Sequence, residues 1–66
     1  MNKPDWKDAP QDATNWAPET EDRHESWYKK DGDAWACVAV DSYRVFKSRW
    51  FYLGAQTPRI DMEPRP

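Results

Sequence analysis

Apolar and polar positions are most regularly organised in the middle of the chain. Ser26-Trp27-Tyr28-Lys29-Lys30 and Asp33-Ala34-Trp35-Ala36-Cys37-Val38-Ala39-Val40 are two β-prone runs, with Asp31-Gly32 between them. Asp-Gly in that position predicts a β-hairpin, because a type I′ turn needs positive φ at both central residues. The second arm carries Trp35, Cys37 and Ala39 on one side and Ala34, Ala36, Val38 and Val40 on the other. Both sides are apolar or small, so this arm is expected to be a central strand. Asp41-Ser42 reads as a second tight turn leading into Tyr43-Arg44-Val45-Phe46-Lys47, a third strand with mixed faces. Ala13-Thr14-Asn15-Trp16-Ala17 is expected to add a fourth strand at an edge, where Pro18 can end the ladder.

The flanks carry weaker periodicity. Prolines at positions 4, 10 and 18 exclude a long helix from residues 1–26. Beyond Ser48, Phe46, Trp50 and Leu53 fall at helical spacing, while Trp50 and Tyr52 also alternate with Phe51 and Leu53, so helix turn and strand fit equally. Gly54 and Pro58 bound that piece, and the segment from Gln56 to Pro66 is expected to lie across the sheet or to be loose at its end. The predicted fold is mainly β. It is a single small domain over residues 1–66, a three- to four-stranded antiparallel meander around Trp27, Trp35, Val38, Val40, Tyr43 and Val45. Residues 1–12 and 56–66 are expected to be extended or loosely packed.

Composition changes this picture in one respect. Val, Ile, Leu and Phe contribute few residues, but the net charge is only −2, and five Trp, three Tyr and two Phe supply the missing apolar area. The core is therefore expected to be aromatic. A chain of 66 residues buries about 60% of its unfolded surface, which leaves little room for an enclosed catalytic cavity. An enzyme is not expected. Cys37 is the single cysteine, so no intrachain disulfide can form, which favours a reducing compartment. The first residues include no apolar run of signal-peptide length, and the stretch from Ala34 to Val40 is too short to span a bilayer. No membrane association is expected.

The reactive residue types give no catalytic pattern. His24 and Cys37 are the soft or imidazole ligand candidates, without Cys-x-x-Cys or His-x-x-x-His spacing, so neither a metal nor another cofactor is expected. A Cys37–His24 nucleophile lacks an orienting third group, and two glycines cannot build a phosphate-cradling loop. Charge is unevenly distributed: residues 1–33 carry nine acids and five bases, residues 34–66 three acids and five bases. The acidic run Glu19 to Glu25 could imitate a row of phosphates, but reads more simply as a solvated loop. Residues 43–52 interleave Arg44, Lys47 and Arg49 with five aromatics, the combination that single-stranded nucleic-acid binders use. The sequence pI near 5.2 makes that the second reading, since phosphate attraction would be weak. Protein recognition comes first, because Trp, Tyr and Arg are enriched at interface hot spots. Its candidate contact residues are Trp6, Trp16, Arg44, Arg49, Trp50, Phe51 and Tyr52, with Arg59 as a further rim residue. The plainer alternative is that these rings only seal the edges of a small sheet. A symmetric homodimer through open faces or edges is a further way to bury them.

Pro4-Asp5-Trp6-Lys7-Asp8-Ala9-Pro10, Ala13-Thr14-Asn15-Trp16-Ala17-Pro18, Ser26-Trp27-Tyr28 and the ending Met62-Glu63-Pro64-Arg65-Pro66 resemble a group of very short accessory or early proteins of tailed bacteriophages. The resemblance spans much of the chain and brings no catalytic residue with it. It implies a small protein in the cytoplasm of a bacterial host that binds a host protein and modulates or inhibits it. Transcription, replication and antiviral defence are the expected targets. The mild acidity of the N-terminal half favours a target with a basic surface.

Overall fold

The computed structural model describes residues 4–66, so the first three positions of the expected 1–12 segment lie outside the described residues. A 3-10 turn at Trp6–Asp8 is followed by strands β1 (Asn15–Ala17), β2 (Ser26–Asp31) and β3 (Ala34–Ala39), helix α1 (Val40–Phe46), and strands β4 (Phe51–Gly54) and β5 (Glu63–Pro64). The strands form one antiparallel sheet in the order β4-β3-β2-β1-β5. The mainly β expectation holds, with one more strand than predicted and a helix in place of another.

The hairpin is where the pattern placed it, but its turn sits one residue later. Asp31 pairs with Ala34, so the two central turn residues are Gly32 and Asp33. Gly32 has φ of 62°, and Lys47 is the one non-glycine residue with positive φ among the described residues. Positive φ at the first central position alone is the type II′ arrangement, which twists with the strands as well as type I′ does.

The expected third strand at Tyr43–Lys47 is instead most of α1, and its place beside β3 is taken by β4. Val40 and Tyr43, three residues apart, both turn onto the core, while Asp41 and Arg44 form an ion pair on the outer side. Spacing of three serves both contacts, whereas period two would have put Tyr43 and Val45 on one face. Val45, expected in the core, is consequently 66% exposed. β4 pairs Tyr52 with Ala36 and Phe51 with Cys37, which keeps β3 central, as its two apolar sides required.

β1 is also not an edge. It lies between β2 and β5, through Trp16 opposite Trp27 on one side and Glu63 on the other. The chain leaves β4 at one edge and must cross the sheet to reach β5 at the other. On the way Ile60 and Met62 pack against Ala17, Tyr28 and Trp35. The C-terminal segment is therefore anchored, and Arg65 fixes it further. Its Nη1 donates to the carbonyls of Pro10 (3.2 Å), Gln11 (3.0 Å) and Ala13 (3.0 Å), and its backbone N–H donates to Thr14 at 2.9 Å.

The core has two halves, one on each face of the sheet. Cross-strand register aligns Trp16, Trp27 and Val38, which with Val40 and Ala13 form the first half. Trp6, Ala9, Tyr43 and Trp50 cover it. Ala17, Tyr28 and Trp35 form the second half, under Cys37, Ile60 and Met62. Trp16 is 3% exposed, and its indole N–H donates to Glu25 Oε2 at 2.8 Å. It is a core residue, contrary to the expectation that it would be partly exposed.

Candidate functional site

The sequence pattern from Val40 to Gly54 builds a helix, a tight reversal and an edge strand. α1 stops at Lys47, which takes the left-handed conformation (φ 53°) while its N–H donates to Tyr43 O at 2.9 Å. A residue in this conformation reverses the chain direction and satisfies the last helical carbonyls. The Ser48 hydroxyl adds a bond to Ser42 O at 3.3 Å, and the Lys47 ammonium lies 4.7 Å from the Tyr43 ring centre. The reversal aims Trp50 back at the core and sends residues 51–54 along β3.

Beside this reversal sits a buried cation. Lys29 Nζ pairs with Asp12 Oδ2 at 2.8 Å and lies 5.0 Å from the Trp50 ring centre and 5.8 Å from that of Tyr52. The bond to Asp12 raises the Lys29 pKa above its ordinary value, and the bond to Lys29 lowers that of Asp12. Lys29 thus ties the N-terminal segment to the start of β4 through a salt bridge and two ring faces.

The product is a concentration of exposed apolar side chains. Val45 (66%), Phe46 (77%), Phe51 (66%), Tyr52 (55%) and Leu53 (41%) are the exposed large hydrophobic residues among the described ones. All come from α1 and β4, and Arg44, Lys47 and Arg49, also exposed, lie between or beside them in the chain. Of the seven contact residues expected from sequence, Arg44, Arg49, Phe51 and Tyr52 are exposed on or beside α1 and β4, with Phe51 and Tyr52 directed to opposite faces of the sheet. Trp6 is half-buried and tilted against Trp27 with ring centres 4.9 Å apart, Trp50 is half-buried on the core, and Trp16 is inside. Arg59 is exposed in the crossing segment, away from α1 in the chain. Phe46 and Leu53 are not among the contact residues expected from sequence, and Val45 was expected in the core. The signal that could have found Val45 and Phe46 is the i, i+3 spacing of Val40 with Tyr43 and of Asp41 with Arg44.

The second face of the sheet carries an open groove of 480 Å³ whose lining includes Arg23, His24, Tyr28, Cys37, Arg49 and Phe51. Burial pushes the Cys37 thiol above its ordinary pKa, and burial does the same to the Tyr28 hydroxyl. A thiol shifted this way is protonated at neutral pH, the reverse of what a nucleophile needs. The acidic run is a surface loop closed on itself: Thr20 N donates to Arg23 O at 2.9 Å, and Asp22 N to the Thr20 hydroxyl at 3.2 Å. Among the described residues no group of three His, Cys, Asp or Glu could hold a metal ion, and no helix is long and apolar enough to cross a membrane. No family model, curated protein or solved structure matches this chain.

Proposed function

We propose that this chain is a small phage-encoded protein that attaches to a host protein in the bacterial cytoplasm and modulates or inhibits it, without catalysis of its own. The observation that carries this reading is the set of five exposed apolar side chains on α1 and β4, from Val45 to Leu53. Isolated apolar residues at a surface are ordinary, but a concentration framed by arginine and lysine is characteristic of recognition surfaces. Phe46 and Val45 are the proposed anchors, Phe51 extends them, and Arg44, Lys47 and Arg49 form the polar rim. These side chains sit on a helix and a strand held by main-chain bonds, so little freedom is lost on binding. Host enzymes of transcription, replication or defence are the proposed targets.

Single-stranded nucleic acid is the competing ligand. Two observations weigh against it: Trp50 packs on the core, and the Tyr43 ring is occupied by Lys47, so neither offers a free stacking face. The test is affinity capture from bacterial lysate, with and without nuclease, using the wild type and a variant in which Arg44, Lys47 and Arg49 are changed to Gln. The reading expects one stoichiometric host protein that survives nuclease treatment. Retention of nucleic acid alone, lost in the Gln variant, would replace it with the competing one.

A further inference from the structure

The two edges of the sheet are unequal. β5 is two residues long, consists of the charged Glu63 and of Pro64, which has no N–H to offer, and is followed by the charged Arg65. Short strands, proline and charge are the means by which an edge is kept from pairing. β4 is longer and carries neither proline nor charge, although its pairing with β3 is bulged at Leu53. It is four residues long and exposed throughout, and no charged side chain occurs between Arg49 and Arg59. Along β4 alternate N–H and C=O groups point away from β3, where the sheet has no further strand among the described residues.

We propose that this edge is closed by a second copy of the chain. β4 pairs antiparallel with the partner's β4 around a twofold axis perpendicular to the sheet, joining the two five-stranded sheets into one of ten strands. Such an axis keeps equivalent faces on the same side, so Tyr52 lies opposite the partner's Tyr52 and Phe51 opposite the partner's Leu53. This register matches the three large exposed side chains with one another and works with either set of outward backbone groups. It opposes no like charges, because residues 50–54 are uncharged.

Charge favours a second copy over a foreign strand. Gly54 pairs with Trp35, so the far end of β4 lies beside the hairpin turn, which carries Asp31 and Asp33 as well as Lys30. The near end carries Lys47 and Arg49. Antiparallel pairing sets the basic end of one copy against the acidic end of the other, twice, and holds the two Arg49 side chains at opposite ends of the joint. The pairing uses the strand's edge and draws on Phe51, Tyr52 and Leu53 of the exposed set, leaving Val45 and Phe46 on α1 for the recognition proposed above.

Sedimentation equilibrium of the full chain tests it. A four-residue joint is at the small end of protein interfaces, so the range needed is about 1 µM to about 1 mM. The expected mass rises from 7.9 kDa to twice that value. Changing Phe51→Lys together with Leu53→Lys opposes like charges across both pairs, and should leave a monomer at every concentration with the wild-type circular dichroism spectrum. Changing Phe51→Lys together with Leu53→Glu opposes unlike charges, and should restore the dimer in low salt. Both sites are exposed, so the monomer should accept either change. In the wild type, β4 amides that exchange quickly in dilute solution should become protected as concentration rises, a readout that needs no variant. A wild type that stays monomeric overturns the proposal and leaves the edge to a strand of another protein. A dimer unaffected by the two lysines, or one without concentration-dependent protection of β4, overturns it as well.

Discussion

Changing Arg65→Ala should cost far more than an exposed residue next to a chain end ordinarily does. One guanidinium nitrogen is shared among the carbonyls of Pro10, Gln11 and Ala13, and the group lies 5.3 Å from the Trp6 ring centre. That nitrogen has two protons, so one of the three bonds must be shared, and the set is worth about two charge-assisted bonds. Each is worth about 1.5 kcal/mol where partly buried, and the ring contact adds about 0.5 kcal/mol at an exposed site. Water recovers part of this when the side chain is removed, leaving an expected loss of about 2 kcal/mol. A domain of this size has a total stability of about 3–10 kcal/mol, so the loss is a large fraction of it. The backbone bond from Arg65 to Thr14 survives the substitution, so the loss is confined to the side chain. Urea titration followed by tryptophan emission should show the midpoint falling by about 2 M at a slope near 1 kcal/mol per M. Changing Arg65→Lys keeps the charge but not the fork, and should fall between the two. An Ala variant within about 0.5 kcal/mol of the wild type would refute the view that the C-terminal segment clamps the N-terminal one.

Changing Gly32→Ala should destabilise the hairpin by about 1 kcal/mol, seen in the same titration, because its φ of 62° is strained for any residue with a Cβ. Trp16→Phe deletes the 2.8 Å bond to Glu25 and part of a buried ring, and should cost about 2 kcal/mol by chemical denaturation. The pair of Asp12 and Lys29 predicts a pH dependence at both extremes. The Asp12 pKa is lowered from 3.8, so its contribution is present above that value and lost as pH falls through the folded value. The Lys29 pKa is raised from 10.5, so its contribution is present below that value and lost as pH rises through the folded value. Asp12→Asn should therefore flatten the acid limb of the stability profile and lower the alkaline pKa of Lys29 in a nuclear magnetic resonance titration.

What was legible in the sequence was set by local rules. Asp31-Gly32 between two β-prone runs announced a hairpin, although pairing of Asp31 with Ala34 moved its turn by one residue. The apolar or small residues on both sides of β3 announced a central strand, and β3 is flanked by β2 and β4. Residues 43–47 misled because Tyr, Val and Phe favour strands by propensity, whereas tertiary contact decided for a helix once Tyr43 could reach the cluster around Val40. β5 could not be read locally. Glu63-Pro64 has no strand signal of its own, and it pairs only because the crossing segment delivers it to β1 and Arg65 finds three carbonyls there. The same non-local fact explains the candidate surface. Which rings are spare depends on which the two halves of the core absorb, and Trp6, Trp16 and Trp50 were absorbed while Phe46 and Phe51 were not.

The central claim is that the apolar side chains of α1 serve recognition and not stability, and the paired variant Val45→Ser with Phe46→Ser tests it most directly. Both side chains are more than half exposed, so unfolding free energy should stay within about 0.5 kcal/mol of the wild type. Capture of the host protein from nuclease-treated lysate should drop at least tenfold, about 1.4 kcal/mol, in the same variant. Unchanged stability with undiminished capture would contradict the assignment of this surface to recognition, and a loss of stability of 2 kcal/mol or more, on the order of a buried side chain, would return Val45 and Phe46 to the core.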